Sequence, residues 1–299
     1  MLYKLKMKCN KAIKNSIILV LLISAVLLCQ YQEALSLENS IKIDVLRFGH
    51  ISVEDPTIIL GKYQPLLSKM SALLKINVEL VQSTDYSGIL KLFLERKIDM
   101  GILNSFSYIQ IAREARLIPM AKRVIGGKGY YQSYIIANSE SDIKRLDDLK
   151  GKVFAFSDPN STTGHLLPRI ILQKNSINPE KDFKGVLFIG HHDSIILAIA
   201  NKTADAGAVA SYMFDCYDTR ITKKIRIIDR SEPIPLGPLV VRLDLGKEWI
   251  DRIRRFFLSL DESEEGRGLL REAGLSAFTD VQDSEYDIIR NKYNLFKKK

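Results

Sequence analysis

The sequence predicts an α/β chain folded as two comparable lobes. Two observations carry that expectation: a β–α–β segment that recurs at a fixed offset, and extended runs placed where a chain would cross between lobes. The repeat pairs Asp85–Gly101 (DYSGILKLFLERKIDMG) with His191–Gly207 (HHDSIILAIANKTADAG) at an offset of 106. Ile89 matches Ile195, Asp99 matches Asp205 and Gly101 matches Gly207. Each segment is preceded by an apolar strand (76–81 and 185–189) and followed by another (100–103 and 206–210). Strand, helix and strand in that order favour a parallel sheet with helices on its faces.

The remaining elements follow in chain order. Residues 45–48 read as a first strand, with a polar turn over 50–55. Residues 65–74 read as an amphipathic helix through Leu66, Met70, Leu73 and Leu74. A helix is expected over 106–115, an extended run over 132–137, and a short helix over 141–150 stopped at Gly151. Residues 152–156 form the next strand. Two further extended runs, 226–228 and 239–242, flank the proline-rich SEPIPLGP, and 248–260 is an amphipathic helix. The extended runs near 131–137 and 228–240 are the candidate crossovers. They divide the chain into lobe one (40–133 plus 236–299) and lobe two (134–235).

Residues 1–36 stand apart from this fold. Five lysines precede an apolar run of 14 residues, Ser16–Cys29. That is short for a membrane span but suits a signal-peptide core. Ala34-Leu35-Ser36 offers a cleavage site, so the mature chain is expected to begin near Leu37. Lipidation at Cys29 and an uncleaved anchor rank second and third, and all three outcomes export the protein. Beyond the leader only Cys216 remains, so no internal disulfide is expected, and no Cys/His spacing suggests a metal site. Without residues 1–36 the net charge falls from +9 to +5, which suits an anionic ligand and does not argue for nucleic acid.

The segment with the most chemistry is Phe154–Pro168, FAFSDPNSTTGHLLP. It leads from a strand through a hydroxyl-rich turn into a helix. Asn160, Ser161, Thr162 and Thr163 supply short polar side chains where a helix begins. A helix start carries unpaired N–H groups and partial positive charge, which together cradle an oxyanion. The same residue types also serve as ordinary helix caps. In open α/β sheets ligands sit beyond the carboxyl ends of the strands. There the first repeat places Ser83, Thr84, Asp85 and Tyr86, and the second places His191, His192, Asp193 and Ser194.

Taken together, LRFGHISVED, the DYSG helix start, IDMGILNSFSYIQIA, GYYQSYIIANSESDIKRLDDLKGKVFAFSDPNSTTGHLLP, GHHDSIILAIANKTADAGAV and SEPIPLGPLVVR resemble the substrate-binding proteins of phosphate/phosphite/phosphonate ABC importers. The resemblance covers roughly residues 45–245. It implies a type II periplasmic-binding-protein-like fold, with two α/β lobes joined by two hinge crossovers. It implies an extracytoplasmic solute receptor that delivers a small oxyanion to an ABC permease. By motif, Ser161, Thr162, Thr163 and His192 hold the anion. Tyr86, Tyr131, Asn160, Ser105 and the turn Ser52–Glu54 are candidates to complete the site. Binders of aminoalkylphosphonates in this family carry a carboxylate in the stretch that here reads PIPLGPL, where Gly237 stands instead of Asp. The expected ligand is therefore a simple oxyanion such as phosphite, phosphate or methylphosphonate.

Other function classes fare worse. No GxSxG elbow and no GxxxxGK(S/T) loop is present, and the four histidines form no catalytic spacing. A Ser/His/Asp set could still assemble in space, for instance Ser161 with His192 and Asp85. No catalysis, cofactor or metal is expected, and the chain is expected to act as a monomer. A sensory or surface protein reusing the same fold for another ligand is the alternative reading.

Overall fold

The computed structural model describes residues 43–51 and 56–297. The leader, the turn Ser52–Glu54 and the last two lysines lie outside the described residues. Two sheets organise the rest. The first contains β1 (Val45–Ile51), β2 (Asn77–Ser83), β3 (Met100–Ile102), β4 (Leu117–Val124), β12 (Pro238–Arg242) and β13 (Ala277–Thr279), in the order β13-β4-β12-β3-β1-β2. The second contains β6 (Ser133–Asn138), β7 (Val153–Phe156), β8 (Gly185–Phe188), β9 (Ala206–Ala210) and β10 (Ile225–Arg230), in the order β10-β6-β9-β7-β8. A two-stranded ribbon of β5 (Tyr130–Tyr131) and β11 (Ile234–Pro235) joins them where the chain passes out and back.

The repeat is visible as geometry. In the first sheet β1 runs parallel to β2 and β3, and in the second β7 runs parallel to β8 and β9. The connecting helices are α1 (Pro56–Leu74) and α2 (Tyr86–Leu94) in the first lobe, then α3 (Ser105–Ile111) after β3. In the second lobe they are α4 (Leu167–Lys174), α5 (His192–Ala200) and α6 (Ser211–Asp215). Each sheet buries apolar side chains on both faces. In the first, Phe48, Leu66, Met70 and Phe257 pack on one face, and Ile89, Phe93, Tyr108 and Tyr286 on the other. The helix α7 (Lys247–Leu258) contributes Ile250, Ile253, Phe256 and Phe257, each stabilising by about 1.5–3 kcal/mol through burial.

Three departures from the sequence reading have local causes. Residues 141–150 form only a single 3₁₀ turn at Leu146–Leu149. The Asp148 carboxylate accepts the backbone N–H groups of Lys144 and Arg145, and Ser141 donates to the Asn138 carbonyl. These side-chain bonds compete with a helix. Gly151 still closes the segment in a left-handed conformation, at φ 74°.

Strand β4 is not legible in the sequence, because LIPMAKRV carries a proline and two adjacent cations. The structure accommodates both. The ladder to β12 shifts register between Leu239 and Val240, which places Pro119 beside a bulge, where a missing N–H is tolerated. Lys122 is buried but pairs with Glu285 and lies over the Tyr130 ring. Finally, α8 (Glu264–Glu272) and α9 (Asp287–Lys297) extend the fold at its C-terminal end. Helix α9 touches both lobes. Tyr293 meets Phe106 edge-on, Ile289 packs with Leu167 and Ile170, and Lys292 pairs with Glu232 at 2.8 Å.

Candidate functional site

The hydroxyl turn is built by side chains that capture backbone groups. Asp158 accepts the Asn160 N–H at 2.7 Å, and its carbonyl accepts the Ser161 N–H at 2.8 Å. Ser161 is extended and caps the helix by accepting the Gly164 N–H at 3.0 Å. The first turn, Thr162–Leu166, is widened to π-helical spacing, with Leu166 N–H bonded to the Ser161 carbonyl. Pro168 has no N–H to continue that ladder. Two carbonyls left over are taken from outside: Thr163 O by the Ser133 hydroxyl at 2.6 Å, and Gly164 O by the Ser157 N–H at 3.0 Å. A side chain at Gly164 would collide with Ser157 and crowd His192, so glycine is what seats the turn on β7.

The turn therefore stops with its donors free. Among the described residues no group accepts the N–H of Thr162 or Thr163, as expected at a helix start. They face a cavity of about 80 Å³ between the two sheets. One water needs roughly 10–15 Å³ on this measure, so there is room for about five to eight heavy atoms. A tetrahedral oxyanion has about five.

Six of the expected residues line this cavity: Ser161, Thr162, Thr163, His192, Tyr86 and Tyr131. Asn160 and Ser105 are not among the residues lining it. Asn160 spans the lobes, donating to the Ser87 hydroxyl and accepting from Gln110, while its carbonyl accepts from Asn104. The Ser105 hydroxyl donates to the Pro235 carbonyl at 2.7 Å, behind Tyr131. The Thr162 hydroxyl is engaged by the other lobe: it donates to Asn104 Oδ1 at 2.7 Å and accepts the Phe106 N–H at 2.9 Å. A hydroxyl has one proton, and this one is spent across the lobes, so only the Thr162 backbone N–H remains for a ligand.

Four further residues line the cavity that the sequence did not single out: His50, Asn104, Arg123 and Tyr212. His50 ends β1, so the strand-end rule that picked out Tyr86 and His192 also applied to it. Arg123 had no such signal, because its strand was hidden.

The electrostatics are simple. His192 Nδ1 accepts the Ala210 N–H at 3.3 Å, which leaves the ring proton on Nε2. Burial lowers its pKa to about 4, and burial reinforced by Arg123 lowers that of His50 to about 3. Both rings are neutral at pH 7. Burial raises Tyr131 to about 12 and pushes Tyr86 higher still, so both phenols keep their protons. The Ser161 hydroxyl lies within bonding reach of Tyr86. Among the described residues, the cavity thus offers hydroxyl, phenol, imidazole and amide donors, one guanidinium, and no carboxylate.

Gly237 lies at the start of β12 against β3. A Cβ there would run into the Leu103 carbonyl, so no side chain fits at this position. Among the described residues no cluster of His, Cys, Asp or Glu is placed to hold a metal ion. No described helix is long and apolar enough to cross a membrane.

Comparison with known proteins agrees with this geometry. Residues 48–286 match the family model described as "ABC transporter, phosphonate, periplasmic substrate-binding protein". A phosphonates-binding periplasmic protein of Escherichia coli (strain K12) is 31% identical over 255 residues, spanning 82% of this chain and 75% of that protein. A phosphate-import protein of Mycolicibacterium smegmatis is 28% identical over 274 residues, spanning 83% and 84%. The binding-protein component of an ABC phosphonate transporter from Pseudomonas aeruginosa superposes with a TM-score of 0.78 at 28% identity, covering 86% of this chain and 87% of that one.

Proposed function

This chain belongs to the periplasmic substrate-binding proteins of phosphonate ABC transporters, and from that premise we propose that it captures a small oxyanion between its lobes. The ligand is of phosphonate, phosphite or phosphate type, in keeping with the ligands named for the relatives from E. coli and M. smegmatis. The observation that carries this reading is the pair of unpartnered N–H groups, Thr162 and Thr163, at the start of a buried helix facing a cavity of oxyanion size. Ser161, Thr163, Tyr86 and Tyr131 supply hydroxyl donors, and His192 supplies its Nε2–H. Lobe two docks the anion first. Lobe one, residues 40–133 plus 236–299, then closes over it by hinge motion. The closed surface is what the membrane permease senses.

On this proposal the leader exports the chain, which acts as a monomer and engages no nucleic acid. It turns over no substrate. Asp85, the acid of the example triad, spends a carboxylate oxygen on the Gly88 N–H at 2.6 Å, and His192 Nδ1 is occupied by Ala210.

The test is calorimetry and thermal shift on the purified protein with phosphate, phosphite, methylphosphonate and an alkylsulfonate. An oxyanion that binds only the closed form raises the melting temperature by mass action. Ser161→Ala should weaken it at least tenfold. Unchanged affinity in that variant, or silence toward every oxyanion, refutes the assignment.

A further inference from the structure

Buried cations in this protein are normally matched. Lys122 has Glu285, and Arg242 has Asp99 at 3.3 Å and Asp244 at 2.9 Å. Arg123, one residue along β4 from Lys122, is the exception. Its guanidinium lines the cavity beside His50 and Tyr131. Its Nε is buried with no hydrogen-bond partner. Among the described residues lining the cavity, none carries a carboxylate. Asp158, which acts on Tyr86 from behind the turn, accepts the Asn160 N–H instead. Arg123 as a whole is only partly buried, but an unmatched cation with a buried N–H is still costly, and the cost is relieved when an anion arrives.

We infer that Arg123 reads the organic substituent of the ligand: the cleft accepts small oxyanions whose substituent is uncharged or acidic, and rejects those bearing an ammonium group. The inference rests on the oxyanion site proposed above and specifies what surrounds it. An ammonium group in so small a cavity would find no carboxylate among the described lining residues and would sit within a few ångströms of a guanidinium, where like charges are weakly screened. A carboxylate on the substituent would find a planar cation with a free N–H, the geometry suited to paired hydrogen bonds. The missing carboxylate at Gly237 is then only half of the discrimination. The other half is a like charge on the neighbouring strand, β4.

The test is calorimetry at neutral pH with methylphosphonate, phosphonoacetate and 2-aminoethylphosphonate. The wild type, Arg123→Gln, Arg123→Lys and Arg123→Glu should be compared, with melting curves to confirm folding. In the wild type, 2-aminoethylphosphonate should bind at least tenfold more weakly than methylphosphonate, and phosphonoacetate should bind no more weakly than methylphosphonate. Arg123→Gln should shrink the ratio of acid to amine affinity at least tenfold. Arg123→Lys should keep that ratio, and Arg123→Glu should invert it. The ratio is the readout because a general loss of affinity cancels from it. If methylphosphonate binds through Ser161 but the ratio is the same in the wild type and Arg123→Gln, the role of Arg123 is overturned while the oxyanion site stands. If none of the three ligands binds the wild type, both readings fall.

Discussion

Replacing Thr162 by valine separates closing the cleft from holding the anion. The two side chains have nearly the same shape, and only the hydroxyl is lost. Thr162 is 1% exposed, and its hydroxyl joins the lobes two ways: to Asn104 and to the Phe106 N–H. The two partners do not suffer equally. Asn104 Oδ1 keeps the Ser107 N–H at 2.8 Å. The Phe106 N–H, at the start of α3, is left buried without an acceptor. A stranded donor costs about 1–3 kcal/mol, and the lost interlobe bonds add about 1. We expect a closing penalty of about 2–4 kcal/mol, which weakens ligand binding by roughly 30- to 700-fold.

The penalty exists only when the lobes meet, since water serves the same groups in the open form. Calorimetry should therefore show the loss for Thr162→Val, while the melting temperature without ligand stays at its wild-type value. Thr162→Ser, which keeps the hydroxyl, should stay within a few-fold of wild type. Binding of Thr162→Val within twofold of wild type would refute the latch. So would a loss of affinity matched by an equal loss of unliganded stability, because the hydroxyl would then be serving the fold instead of closure.

Three further outcomes follow from the same geometry. Asp205→Ala removes one acceptor from the Val153 N–H and should cost about 1–2 kcal/mol in denaturant unfolding, whereas Asp99→Ala also strips Arg242 of a buried partner and should cost more; equal losses would contradict this. The depressed pKa values of His192, about 4, and His50, about 3, mean that the unfolded chain takes up protons near pH 6.5 before the folded one does. Stability is thus full above pH 6.5 and falls as pH drops toward 4, and His192→Gln should flatten that fall in melting curves. Gly237→Asp should lower the melting temperature through its clash with Leu103 and bring no gain in affinity for 2-aminoethylphosphonate; a gain would show that the position reads the ligand.

What could be read from the sequence depended on whether a residue's role is local. The N-cap at Ser161, the helix start at Tyr86 and the glycine at 164 follow from neighbours in the chain, and all lie where local rules put them. The partners of Thr162 do not, because Asn104 and Phe106 come from the other lobe, more than fifty residues away. Arg123 was hidden for another reason. A strand with a proline and adjacent cations matches no periodic pattern, and its exceptions are licensed by a bulge against β12 and an acid near the C-terminus.

The offset of 106 extends further than the aligned segments, and where it fails is informative. Asp99 accepts the N–H of Arg47 at 2.8 Å, and Asp205 accepts that of Val153 at 2.7 Å; the donors are again 106 apart. Gly49 pairs with Gly101 in one sheet and Ala155 with Gly207 in the other. Arg47 pairs with Glu79, and Val153 with Gly185. The first helical residues, Tyr86 and His192, keep the offset and face each other across the cavity. Strand pairing thus holds the two frames to one register, while the side chains aimed at the ligand are released from it. A phenol opposes an imidazole at the equivalent helix starts. The hydroxyl turn belongs to one lobe and the lone guanidinium to the other, each outside the segments that match. Substitutions inside the shared register should therefore change stability and leave the order of ligands alone. Substitutions at the mismatched positions should reorder the ligands, because only there do the two walls differ in chemistry.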